Sequence, residues 1–185
     1  MMVATEHTPN PDTLKFLPEK KVSEVGPIEF LKNDKNIKVS LANKILSLEG
    51  TVMVFFGEDF ITVKKEKDLN WEDLKHGIIS EINDYYSKGN EVVVGKDLSK
   101  LAPDSRLIQS NEIIKKINEI LDSKIRPAVA RDGGDITFKS FTDGVVTVEL
   151  KGSCSGCPSS IMTLKQGVQN LFCHYILEVK SVEAI

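Results

Sequence analysis

Apolar residues recur along this chain with two different periods, and the switches between them outline the elements. Thr8-Pro9-Asn10-Pro11-Asp12 carries two prolines and predicts an extended, turn-rich entry. Thr13-Leu14-Lys15-Phe16-Leu17 alternates and reads as a short strand, ended by Pro18 and the charges after it. Residues 19–39 give only a weak helical or turn signal, around Pro27 to Leu31. Leu41, Ile45 and Leu48 fit a short helix that Ser40 would cap and Gly50 would close. Val52–Phe56 and Phe60–Lys64 are β-rich runs on either side of Gly57-Glu58-Asp59, which predicts a hairpin. Trp71, Leu74, Ile78, Ile82 and Tyr85 fall at helical spacing, with Asn70 as the cap, acids at Glu72 and Asp73, and Gly89 as the stop.

Periodicity then fades over residues 89–110, which read as a linker with room for one short docked segment at Val92-Val93-Val94. From Asn111 it returns. Ile113, Ile117, Ile120 and Leu121 share a helical face, and Arg126-Pro127 is expected to interrupt that helix. Asp132-Gly133-Gly134-Asp135 reads as a turn, and Asp143-Gly144 is a strong hairpin signal between alternating strands. Ile161, Leu164, Val168 and Leu171 predict a helix to about Cys173, and a last strand is expected over Ile176 to Val182. The expected class is α+β: two small domains, residues 1–88 and 111–185, joined by the linker 89–110. The second has the order α-β-β-α-β.

Composition narrows the function. The 185 residues are 41% hydrophobic and 28% charged, with a net charge of −3, and no basic cluster suits nucleic acid. No apolar run approaches the roughly 20 residues that would span a bilayer. Met1 to Asn10 has neither a signal peptide's apolar core nor a transit peptide's arginines, so the expected location is the cytoplasm of a bacterium. Three cysteines, Cys154, Cys157 and Cys173, are too few and too clustered for a secreted disulfide framework.

Two of them form the chemical centre: Cys154-Ser155-Gly156-Cys157-Pro158. Proline after the second thiol favours a helix start there, placing Cys157 at the N-cap where the helix dipole favours thiolate. Zinc sites and iron–sulfur clusters need four ligands, and one CxxC supplies two. Cys173 lies sixteen residues past Cys157, roughly 24 Å along the helix at about 1.5 Å per residue, and is expected to be a buried small hydrophobe. His174 shares that far end, while His7 and His76 belong to the first domain. The pair is thus half a site, completed by a second copy of the chain or by small exogenous thiols. From spacing alone, metal binding (a structural zinc module included), dithiol–disulfide redox chemistry and an incidental pair of cysteines all stay open. Asp132-Gly133-Gly134-Asp135 lacks the lysine of a phosphate loop and the oxygen donors of a calcium loop, which leaves a tight turn.

Longer motifs add a resemblance. Arg126-Pro127-Ala128-Val129-Ala130-Arg131-Asp132-Gly133-Gly134-Asp135, then Gly152-Ser153-Cys154-Ser155-Gly156-Cys157-Pro158-Ser159-Ser160 and His174-Tyr175-Ile176, resemble the C-terminal domain of NifU and the Nfu-type carriers. Thr8 to Phe16, Val54 to Val63 and Trp71-Glu72 resemble the N-terminal domain of the Nfu type. Leu177 departs from the pattern where proline is expected, and Cys173 has no counterpart in it. The resemblance implies an iron–sulfur carrier without turnover chemistry. Cys154 and Cys157 would ligate a cluster, [4Fe–4S] in preference to [2Fe–2S], bridged between two protomers of a homodimer. The cluster would come from assembly components and pass to apo iron–sulfur proteins, with the first domain as a docking module. The enzymatic alternative is a dithiol–disulfide oxidoreductase using the same pair.

Overall fold

A computed structural model describes residues 3–96, 98, 112–156 and 158–185, with the side chains of 158–160 left aside. The fold is α+β, and the chain divides into two compact units, Met1–Pro103 and Asp104–Ile185.

The first unit is an antiparallel sheet under two helices. Its strands are β1 (Ala4–His7), β2 (Thr13–Leu17), β3 (Ile28–Leu31), β4 (Thr51–Phe56) and β5 (Ile61–Lys65), in the spatial order β1-β2-β5-β4-β3. Alternation along the strands sends Leu14, Phe16, Val54, Phe56, Ile61 and Val63 into one core with Leu41 and Ile45 of α1 (Ser40–Ser47) and Ile78 and Ile82 of α2 (Trp71–Ser87). The opposite positions Met53, Phe55 and Thr62 are buried too. As expected, Asn70 caps α2, its side-chain oxygen accepting from the Glu72 N–H, with Glu72 and Asp73 in the first turn. Val93 and Val94 dock on this core, with Val94 bridging to Ser23.

Several local expectations need correction. Residues 28–31 are an edge strand rather than a helix or turn. Ile28 and Phe30 point to the core, but four residues are too short a run for alternation to register. Ala4–His7, ahead of the proline-rich entry and expected to hold no element, form β1, paired to β2 from Ala4↔Leu17 to His7↔Leu14. Val39, not Ser40, occupies the N-cap of α1, with no side-chain hydrogen bond. Leu41 and Ala42 must both face the core, which starts the helix one residue early.

The second unit has a three-stranded sheet, β6 (Gly134–Thr142), β7 (Val145–Gly152) and β8 (Ser181–Ala184), in that spatial order. β6 and β7 pair antiparallel, and β8 joins β7 in parallel with Val146 beside Val182. Asp143 and Gly144 both take positive φ, 52° and 87°, as the tight turn between β6 and β7 requires. The last strand starts five residues later than expected, because Ile176 to Lys180 turn back first, the Val179 N–H bonding the Ile176 carbonyl at 3.1 Å.

Proline does not break the leading helix. α3 (Glu112–Ile120) runs through a π-helical turn (Leu121–Ile125) into α4 (Arg126–Arg131), with Pro127 in the first turn of α4. The wide turn resets the ladder: the Arg126 N–H bonds the Leu121 carbonyl, five residues back. The donor that Pro127 lacks then falls where a helix start needs none. Ile117, Leu121, Ile125 and Val129 stay on one buried face. α5 (Pro158–Tyr175) closes the core with Val168 and Phe172.

Candidate functional site

The cysteine-bearing loop leaves the end of β7 and meets the turn that starts β6. Gly134 and Gly152 are the last pair of the β6–β7 ladder, so residues 132–134 and 152–154 are neighbours. Ser153 joins them: its hydroxyl donates to the Asp132 carbonyl and its N–H to the Gly133 carbonyl, 3.2 Å away. The loop tightens on itself at Ser155, whose N–H and hydroxyl both donate to the Gly152 carbonyl, at 3.2 and 2.9 Å. Gly152 and Gly156 take positive φ of 68° and 72°, left-handed turns that glycine accepts without strain.

Cys154 is 5% exposed and belongs to the apolar core with Ile136, Leu150 and Phe172. A Cβ built on Gly134 would stand 2.9 Å from the Cys154 Sγ and 2.6 Å from the Lys151 carbonyl oxygen, so glycine makes room for the sulfur. Cys157 lies outside the described residues, and with it the expectation that it caps α5. Among the described residues, no three His, Cys, Asp or Glu side chains gather into a metal site.

Cys173 corrects an expectation. It is exposed rather than buried, and its thiol donates to the Val179 carbonyl at 3.3 Å. Its neighbour Phe172 holds the core position, and one step along a helix turns the next side chain about 100° away. His174, on the same last turn, stacks edge-on against Tyr175 at 4.9 Å. His76 stands on α2 in contact with the Glu72 carbonyl, and His7 ends β1.

Sequence reasoning missed the brace behind the loop. Arg126 donates from Nε and Nη2 to both carboxylate oxygens of buried Asp135, at 3.0 and 3.1 Å, and from Nη1 to Asp122 at 2.9 Å. Burial alone would lower the Arg126 pKa; the bonds and charges of Asp135, then of Asp122, outweigh it and raise it above the ordinary value. This fork fixes α4 against the start of β6 and so sets the turn on which Cys154 rests. One signal was available: a basic residue and an acid on either side of a glycine turn. Their spacing of nine, however, matches no helical or strand pairing rule.

A soft, polarizable thiol in a glycine-shaped loop suits soft metal ions and thiol chemistry. Comparison with known proteins narrows the choice. Residues 117–183 match the family model described as NifU-like domain, and residues 3–89 match the one described as scaffold protein Nfu/NifU N terminal. The chain is 42% identical over 186 residues to the mitochondrial NFU1 iron-sulfur cluster scaffold homolog of Homo sapiens, covering 100% of this chain and 72% of that protein. It is 41% identical to NifU-like protein 4, mitochondrial, of Arabidopsis thaliana, covering 99% of this chain and 65% of that one. Among solved structures, the solution structure of a NifU-like protein from Saccharomyces cerevisiae is 27% identical, at a TM-score of 0.47. It covers 52% of this chain and 86% of the yeast chain. The mitochondrial names of these relatives overturn the expected placement in a bacterial cytoplasm. Met1 to Asn10 offered no positive signal for either compartment, so that expectation rested on an absence.

Proposed function

Because the chain belongs to the NifU/Nfu family of iron–sulfur scaffold proteins, we propose that it receives an iron–sulfur cluster as cargo and hands it to apo-proteins. The cargo is a [4Fe–4S] cluster held by Cys154 and Cys157 from each of two protomers, with [2Fe–2S] accepted by the same four thiolates. The observation that carries this reading is the ligand count. The CxxC offers two thiolates, and no further His, Cys, Asp or Glu group that could hold a metal gathers among the described residues. A second copy completes the set by symmetry. No turnover chemistry is assigned to the protein.

The division of labour follows from the chemistry each part carries. Residues 111–185 hold the cargo, residues 89–110 link, and residues 1–88, with a core but no thiol, dock clients or assembly components. The names of its relatives support an organellar location.

Anaerobic reconstitution with iron and sulfide, followed by metal and sulfide analysis and light scattering, tests the reading. About four iron and four sulfide per two chains, in a species of twice the monomer mass, is expected. A full cluster held by a monomer without added thiol would overturn the shared site. Stoichiometric zinc resistant to chelators would replace it with a structural module. A colourless protein with a reversible Cys154–Cys157 disulfide would replace it with a dithiol oxidoreductase.

A further inference from the structure

Reading Cys154 as a cluster ligand meets a steric conflict, on which the inference below rests together with that reading. A bridging ligand has to present its sulfur outside its own fold. In this structure that sulfur is instead packed into the second unit's core, 5% exposed, in one cluster with Ile136 and Leu150. Local contacts help to hold it there. The sulfur rests against Gly134, where even a methyl group would stand within 2.9 Å of it. One residue earlier, Ser153, itself 1% exposed, ties the loop to the same turn by its hydroxyl on Asp132 and its N–H on Gly133.

We propose that the Asp132–Gly134 turn is a latch that holds Cys154 closed in the cluster-free protein, and that Ser153 is the positioning residue that fastens it. Loading begins when Ser153 releases the turn and residues 153–156 lift the thiol outward. The motion is local. It breaks the Ser153 bonds to the Asp132 and Gly133 carbonyls, and the released groups can bond water once the loop has lifted, so the cost is below that of unfolding the unit. Gly152 and Gly156 stand at the two ends of the moving segment, where they can take up the change in backbone angles. The closed state also keeps a reactive thiol from alkylating and oxidising agents until cargo arrives.

Thiol labelling of the full, reduced, cluster-free chain with iodoacetamide, read by peptide mapping, tests this. Each thiol's rate is divided by its own rate in full denaturant, and exposed Cys173 is the internal reference. Cys154 is expected to label at least about tenfold more slowly than Cys173. Ser153→Ala should raise the Cys154 rate about fivefold, the effect of one lost hydrogen bond, and leave Cys173 unchanged. The Cys154 rate should respond to low urea far more weakly than global unfolding does. Cys154 labelling as fast as Cys173 in the unaltered protein would overturn the latch. So would an unchanged rate in Ser153→Ala, or a urea response equal to that of unfolding. The first and last of these need no variant, so a Ser153→Ala protein that fails to fold leaves the proposal testable. Failure of reconstituted protein to bind iron would overturn the cargo reading instead, and the labelling pattern would still decide the latch.

Discussion

The two sheets bury their faces differently. In the first unit neighbouring strand positions are both covered: Val54 and Phe56 face the helices, while Met53 and Phe55 are buried on the other side. In the second unit Val146, Val148 and Leu150 are buried, and the alternate positions Thr147, Glu149 and Lys151 are only partly covered. That open face is polar and cross-linked, with Glu149 paired to Lys139 at 3.0 Å and to Lys151 at 3.3 Å. A sheet buried on both sides invests its residues in packing. A sheet with one wet side leaves its ends free to carry loops, and the second unit's thiol loop grows from such an end. The half-covered unit thus grows its thiol loop from a strand end while Cys154 itself stays part of the core.

The sharpest break between the regions is at the thiols. Cys154→Ser should abolish cluster binding in the reconstitution assay, while Cys173→Ser should leave the iron and sulfide content unchanged. Equal loss from both changes would remove Cys154 from its special position. Next in size come the cores. Phe56 and Phe172 are both fully buried, one in each unit, and each change to alanine should cost about 3–5 kcal/mol in denaturant unfolding. Among the described residues no side chain belongs to both cores, so Phe172→Ala should speed Cys154 labelling and Phe56→Ala should not. A Phe56 effect on Cys154 would show the units to be energetically joined.

Arg126→Met should cost about 2–3 kcal/mol, less than removing a fully buried partner because the Arg126 side chain is about a third exposed. Its loss leaves the buried Asp135 carboxylate without its fork, and Arg126→Lys should recover only part of the stability, since an ammonium cannot donate in parallel. The smallest expected effect is on the open face. Burial alone would raise the Glu149 pKa; the Lys139 and Lys151 contacts outweigh it and lower it below the ordinary carboxylate value. A lowered folded pKa stabilises the protein above the unfolded value, and this contribution disappears as pH falls through the folded one. An acid titration of thermal stability in Glu149→Gln should therefore lack a small part of the acid loss seen in the unaltered chain.

The elements that sequence reading found share a physical cause. The β4–β5 pair, α2 and the Asp143-Gly144 turn are each specified within a short window, by alternation, helical spacing or a left-handed turn. Elements whose cause lies elsewhere in the chain escaped. β3 exists because β4 offers an edge, and Pro127 is tolerated because five residues before it widen into a π turn. Cys173 carries an apolar label, yet Phe172 already fills the inward position. At the site, the two thiols and their spacing were readable. Their setting was not, since Ser153 meets the Asp132 carbonyl across 21 residues and through backbone that no side-chain pattern encodes.

The parallel pairing of β7 with β8 also governs time. Antiparallel neighbours can zip from a two-residue turn, but a parallel partner must wait until the whole intervening crossover, α5 included, has been laid down. Val182, fully buried on β8, seals the same core that shelters Cys154. While the chain is being made or refolded, the core to which Cys154 belongs therefore stays incomplete until the strand after the helix arrives.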